Sequence, residues 1–340
     1  MTKRSGVRAD FERQVEVLVS LSEDAYGDTL DQLSAALDGL RREIRQRFPS
    51  HDTRHSPRSR VDWQGLWDTL RRRVSTLGMS ERSAQVDEFG LDPVVLDRAR
   101  WLFDGLYDRY FRLEIGGVDR LPERGPCLLV ANHSGVLPYD GLMLSHAIER
   151  HHPRRERPRF LLADWLVTLP FAQPFLARVG GVRACPENAR RLLDAGHFVI
   201  AFPEGVKGAT KVFRERYRVK RFGRGGVVRL ALETGAPLVP VGVAGAEEVH
   251  PLLFKTELLA RPLGLPFLPV TPTFPWLGPL GLVPAPSKWV IHLGEPIATR
   301  HLGPDAARDE LLISRINEEL RQSVQQLVDR ARRDRKSVFE

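Results

Sequence analysis

Apolar and polar positions fall into two regimes along the chain, and the change comes near Phe111. Before it, apolar residues recur at helical spacing. Val15, Leu18, Leu21, Leu30, Leu33 and Leu37 give residues 11–48 one apolar side, which predicts helix. The polar stretch "PSHDTRHSPRSR", residues 49–60, contains two prolines and reads as a linker. Further helices are predicted from Val61 to Leu77 and from Pro93 to Tyr110, the latter turning Leu96, Leu102 and Leu106 toward a core.

From Phe111 onward, short apolar runs alternate with helices of about ten residues. "FRLEIGG", "PCLLVAN", "RPRFLLAD", "HFVIAF", "APLVPVGV" and "KWVIHLGEPI" read as strands. "ENARRLLDAG", "GGVVRLALETG" and the long C-terminal run "DAARDELLISRINEELRQSVQQLVDRARR" read as helices, the first two closed by Gly196 and Gly235. This alternation predicts an α/β fold with a mixed or mostly parallel sheet flanked by helices. The expected organisation is an N-terminal helical extension, residues 1–104, followed by the α/β domain, residues 105–340. One segment breaks the pattern. Residues 251–287 are rich in proline and large apolar side chains, which forbids a regular central strand or a long helix. Such a segment is either a packed irregular subregion or a surface for something apolar, with Phe267, Phe274 and Trp276 as its candidate acyl-chain or membrane contacts.

Charge changes the picture at the same boundary. Residues 1–115 carry 19 basic and 20 acidic side chains, whereas residues 116–340 carry 32 basic and 23 acidic ones. The net charge of +8 therefore belongs to the α/β domain and suits an anionic partner. Eight of the basic residues lie between Lys207 and Arg224, against one acid, Glu215. No helix-turn-helix, zinc-finger or basic-zipper pattern accompanies them, so nucleic acid is not the expected partner. Two cysteines, Cys127 and Cys185, are too few for a disulfide scaffold or a thiolate metal cluster, and no metal is expected. The first ten residues are polar and charged, so no secretory leader is expected, and no run of 18 apolar residues predicts a membrane span.

Two places combine chemistry with a strand end. His133 follows "PCLLVAN" inside "ANHSGVLPYDG", among turn-forming neighbours, with Asp140 seven residues on. Histidine can act as base and acid near neutral pH, and a carboxylate can orient it, so the pair is a candidate for proton transfer from a hydroxyl or amine. A structural turn is the competing reading. "FPEGVKG" follows "HFVIA" directly and offers Glu204, Gly205 and Lys207, with Lys211 beyond, as candidate anion or acceptor contacts. "VGGVRA" reads as a glycine turn carrying Arg183, whose rigid fork suits phosphate. No Gly-x-Ser-x-Gly elbow and no Gly-x-Gly-x-x-Gly fingerprint occurs, which disfavours a serine hydrolase and a dinucleotide fold.

Four stretches together, "NHSGVLPYDG", "GGVRACPENARRLLDAG", "FPEGVKG" and "APLVPVGVAGAEE", make residues 105–335 resemble the glycerolipid acyltransferase superfamily that includes lysophosphatidic acid acyltransferases. The resemblance is nearest to its monoacylglycerol- and diacylglycerol-acyltransferase-like branch. It implies acyl transfer from acyl-CoA or acyl-carrier protein to a lipid hydroxyl, with His133 as general base, Asp140 as its orienting partner and no covalent acyl-enzyme. It also implies that Glu204 and Gly205 bind the acceptor, that Arg183 reads its phosphate, and that no cofactor is permanently bound, acyl-CoA being a co-substrate. Peripheral or monotopic attachment to an anionic membrane, on the cytoplasmic face, is expected with it. Six residues separate His133 from Asp140 where the family usually has four, so the loop must fold back, with a bend at Pro138, to bring the two into contact. A hydrolase using the same pair on water and a non-catalytic lipid-binding or scaffold protein on the same fold remain the alternatives at this level.

Overall fold

The structure is a computed structural model that describes residues 86–135, 137–167, 172–256, 268–274, 276, 281 and 283–338. The helices expected over 11–48 and 61–77, and the linker between them, lie outside the described residues, as does Phe267. All described residues belong to one compact unit that begins at Ser83.

Its first helix, α1 (Pro93–Gly105), starts where Asp92 accepts hydrogen bonds from Val94 N and Val95 N and Pro93 occupies the first turn. Although the sequence assigns α1 to the N-terminal extension, it is part of this compact unit. Phe103 is buried, and the Arg157 guanidinium lies over its ring, 5.6 Å from the centroid. One π-turn, Leu106–Tyr110, carries the chain into strand β1 (Glu114–Gly116).

Along the chain there follow β2 (Cys127–Ala131), α2 (Tyr139–His151), β3 (Arg159–Leu162), α3 (Asp164–Val167), α4 (Ala172–Arg178) and β4 (Gly181–Arg183). Next come α5 (Pro186–Asp194), β5 (Phe198–Ala201), α6 (Gly205–Ala209), α7 (Gly226–Thr234) and β6 (Leu238–Ala244). The last elements are β7 (Phe254–Thr256), β8 (Leu268–Val270), β9 (Val290–Leu293) and α8 (Glu310–Asp334). Seven strands form one sheet in the order β1-β9-β6-β2-β5-β3-β4. β6, β2, β5, β3 and β4 run parallel, while β9 lies antiparallel to β6 and parallel to β1. β2 and β6 are buried at every position, which accounts for their uninterrupted apolar sequences: a parallel strand covered on both faces needs no polar side.

The 251–287 segment contributes the separate antiparallel hairpin β7–β8, with Lys255 opposite Pro269. A proline in a strand is tolerated here because a two-stranded ribbon has an open edge on each side.

Helix α8 is capped by Asp309, which accepts from Leu311 N and Leu312 N at 3.0 Å. Its apolar stripe of Ile313, Ile316, Leu320, Val324, Val328 and Ala331 joins the core. It lies so close to β6 that a Cβ on Gly242 would sit 2.4 Å from the Leu327 carbonyl carbon. Gly242→Ala therefore forces backbone apart. It should lower unfolding free energy by about 1–3 kcal/mol, read as a shifted urea midpoint.

Candidate active site

Three neighbouring parallel strands, β6, β2 and β5, end on the same edge of the sheet. The residues that leave those ends are Asn132 and His133 after β2, Glu204 after β5, and Glu247 on the 3₁₀ turn Ala246–Glu248 after β6. Loops at the carboxyl ends of such strands are where open α/β sheets gather ligand-binding groups.

His133 and Asp140 meet. The His133 Nδ1 to Asp140 Oδ2 distance is 2.7 Å, and the carboxylate is fully buried while the ring keeps some exposure. The six intervening residues are accommodated because α2 begins at Tyr139, directly after Pro138, which puts Asp140 in the first helical turn facing back along the loop. Its second oxygen accepts from Gly141 N at 2.8 Å, and Oδ2 also accepts from Ser134 N at 2.9 Å. Thus Asp140 fixes both the ring and the backbone beside it. Phe202 stacks on the His133 ring, 4.6 Å between centroids and 24° between planes. With Nδ1 committed to Asp140, Nε2 is the nitrogen available to take a proton.

Two side chains support His133, and of these Asn132 escaped the sequence reading. Asn132 is fully buried and bridges β2 to β6: Nδ2 donates to Val243 O at 3.0 Å, and Oδ1 accepts from Val243 N at 2.8 Å. Glu204 Oε1 accepts from His133 N at 2.8 Å, and its Oε2 from Lys220 N at 2.6 Å. Gly208 lets α6 close over this contact, since a Cβ there would lie 2.5 Å from Glu204 Cβ and 3.0 Å from His133 Cβ. The carboxylate expected to meet an acceptor is therefore turned inward and engaged by backbone.

Lys211 also differs from the expectation. Its ammonium is buried, 2.6 Å from Glu247 Oε1 and 3.4 Å from Glu204 Oε2. Burial pulls its pKa down, but the two carboxylates outweigh that and leave it raised, so the group is charged. Glu247 is shifted upward by its own burial, against the pull of Lys211. The cavity that Lys211 helps to line measures about 20 Å³, room for one water and not for a phosphate. Lys211 is thus not presented to an acceptor headgroup.

The remaining predicted residues do face outward. Gly205 and Lys207 are exposed on α6, and Arg214, Arg218, Arg221 and Arg224 are exposed along the loop that follows. Arg183 ends a short strand where the sequence suggested a turn, and its guanidinium pairs with Asp164 at 2.8 Å on the surface. In the 251–287 segment Phe274 is half-buried, and Trp276 is 76% exposed. Among the described residues, no cluster of three or more His, Cys, Asp or Glu side chains could hold a metal ion, and no helix is long and apolar enough to cross a membrane.

The sequence pattern of the Acyltransferase family matches residues 112–244, a span that contains His133, Asp140, Arg183, Glu204 and Lys211. An uncharacterized protein of Mycobacterium tuberculosis is 44% identical over 259 residues, covering 75% of this chain and 71% of its own. An enzyme of Bos taurus described as a DGAT1/2-independent enzyme synthesizing storage lipids is 26% identical over 236 residues, 68% of this chain and 64% of its own. Among solved structures, the 1-acyl-sn-glycerophosphate acyltransferase PlsC of Thermotoga maritima aligns with a TM-score of 0.46 and 18% identity, over 72% of this chain and 80% of that one. With the family pattern spanning both strand ends that carry the histidine and the glutamate, the chain belongs to the glycerolipid acyltransferase superfamily.

Proposed function

We propose that the protein transfers a fatty acyl group from acyl-CoA, or from an acyl-carrier protein, to a hydroxyl of a glycerolipid or lysophospholipid. The observation that carries this reading is the 2.7 Å His133–Asp140 contact at the end of β2. A neutral imidazole whose Nδ1–H donates to a buried carboxylate leaves Nε2 to remove the acceptor's hydroxyl proton. The alkoxide oxygen bonds to the thioester carbonyl carbon, the tetrahedral intermediate collapses with loss of the C–S bond, and the imidazolium proton passes to the departing thiolate. No residue of the chain is acylated on this route. Lys207 and Arg183, both exposed and Arg183 paired with Asp164, are side chains suited to an acceptor or CoA phosphate.

Attachment to the membrane is part of the proposal. Leu253, Phe254 and Trp276 are exposed apolar side chains on or beside the β7–β8 hairpin. That hairpin is tied to the site: Phe213 N donates to Leu252 O at 2.7 Å, and Lys255 Nζ lies 3.3 Å from Thr210 Oγ1. Apolar side chains beside exposed arginines fit a peripheral contact with an anionic, cytoplasm-facing lipid surface. Replacing Phe254 and Trp276 together by serine should weaken binding to anionic vesicles by about tenfold or more, measured by co-sedimentation, since each aromatic loses roughly 1.5–3 kcal/mol of burial.

The acceptor is found by offering labelled acyl-CoA with lysophosphatidic acid, other lysophospholipids, monoacylglycerol and diacylglycerol in liposomes and identifying products by mass. A new ester on one of these supports the reading. Absence of ester from every acceptor with both CoA and carrier-protein donors contradicts it.

A further inference from the structure

Beneath the His133–Asp140 pair lies a second set of charged side chains that acyl transfer, as described, does not use. Glu204 and Lys211 flank α6, Glu247 comes from the β6 exit, and all three are nearly or fully buried. They form a continuous line. Glu204 accepts from the backbone of His133, Lys211 bridges Glu204 to Glu247, and Glu247 in turn accepts from the backbone N–H of Tyr217. Lys211 adds a long contact of 3.4 Å to Arg218 O. The far end is clamped as well. Tyr217 OH donates to Glu248 Oε1 at 2.6 Å, and Arg335, at the end of α8, bonds both Glu248 oxygens at 2.8 and 2.7 Å.

Two buried carboxylates around a single ammonium are informative. An apolar set of the same volume is often at least as stabilising as a buried ion pair, so net stability does not account for this set and held geometry does. Here the held atom is the main-chain nitrogen of His133, the residue whose ring must meet both Asp140 and an acceptor. A misplacement of about 1 Å at such a group costs on the order of 10² in rate.

We propose that Lys211 and Glu247 are a positioning pair for the transfer centre, holding the Glu204 carboxylate against the backbone N–H of His133. The pair does not touch substrate. Its importance for turnover rests on the acyl-transfer reading above, whereas its effect on the His133 backbone does not. The groups facing Glu204 are His133 from the β2 exit, Lys211 and Lys220 from the basic loop, and Glu247 from the β6 exit. Removing the ammonium leaves two carboxylates in one buried site, where like charges drive one of them to bind a proton. Burial already raises Glu247, so until Glu247 takes that proton its charge repels Glu204 and weakens the bond to His133 N.

The test is residue-resolved amide hydrogen exchange, with steady-state kinetics beside it. Lys211→Gln keeps an N–H donor between the carboxylates but no charge. Lys211→Gln/Glu247→Gln also removes the second negative charge. In Lys211→Gln, protection at His133 and Lys220, the two amides that donate to Glu204, should fall by about tenfold while Leu129 and Val130 in β2 stay as in the wild type. Lowering pH from 8 to 6 should lessen that loss, because a proton on Glu247, whose carboxyl burial already raises, removes the repulsion. In the double variant, protection should return to within about threefold of wild type. Turnover should follow protection, with KM for the acyl donor unchanged. Unchanged protection at both amides in Lys211→Gln overturns the proposal, as does a loss spread evenly over β2, or a double variant no better than the single. If protection behaves as stated but the wild type forms no acyl ester, the positioning pair stands and the acyl-transfer reading falls.

Discussion

His133→Ala is expected to lower acyl transfer by about 10²–10⁴-fold, the usual contribution of a positioned general base. The loss should appear in kcat, because on the proposed route the imidazole acts on a proton that moves in the transition state and adds little to ground-state binding of either lipid. The fold should survive. Asp140 keeps the N–H groups of Ser134 and Gly141 as donors after the ring is gone, so its buried charge is not orphaned. Loss of one hydrogen bond and of the stacking contact with Phe202 removes about 1–2 kcal/mol. An unchanged circular dichroism spectrum with turnover reduced less than about fivefold would show that another group takes the proton.

Asp140→Asn should be nearly as damaging, although it changes only one atom of the side chain. The wild-type carboxylate accepts at both oxygens: from the ring and Ser134 N at Oδ2, and from Gly141 N at Oδ1. An asparagine has one acceptor oxygen. If its amide faces the ring it donates to Nδ1, which moves the imidazole proton to Nε2, the position that must be vacant to receive the acceptor's proton. If it faces the other way, the amide is set against the backbone N–H of Gly141. Both arrangements cost activity, about 10²–10⁴-fold by analogy with other oriented histidines, and a stability of about 1–3 kcal/mol. The double variant His133→Ala/Asp140→Asn should be no slower than the worse single one, because the two act as a unit. Additive losses would show that Asp140 serves the reaction independently of the ring.

The central strands were legible because burial on both faces writes itself as uninterrupted apolar sequence, as in "CLLVA" and "LVPVGVA". Strand β4 was not: three residues led by glycines look like a turn, and only pairing with β3 makes Gly181–Arg183 a strand. The contact between His133 and Asp140 was anticipated from their chemistry and from resemblance, and the start of α2 at Tyr139 is what closes their wide spacing. What the sequence hid is the direction of side chains in the basic run. Lys211 is one of eight basic residues there, yet it turns inward to meet Glu247, 36 residues later, while Lys207 and Arg214 turn out. Periodicity offers no signal for such a pairing, since the loop has none and the partner lies on another strand's exit. Glu204 was likewise found by motif, as a candidate acceptor contact, and its bond to the His133 backbone shows only once β2 is placed beside β5.

The most direct measurement of His133-dependent acyl transfer counts thioester consumed against ester formed, in liposomes, with and without a lipid hydroxyl acceptor, for the wild type and His133→Ala. One ester should form for each CoA thiol released, with near-zero thiol release without acceptor and loss of both in His133→Ala. Thiol release that persists without acceptor and yields free fatty acid would make the protein a hydrolase. Ester formation at the wild-type rate in folded His133→Ala would remove the histidine from the chemistry altogether.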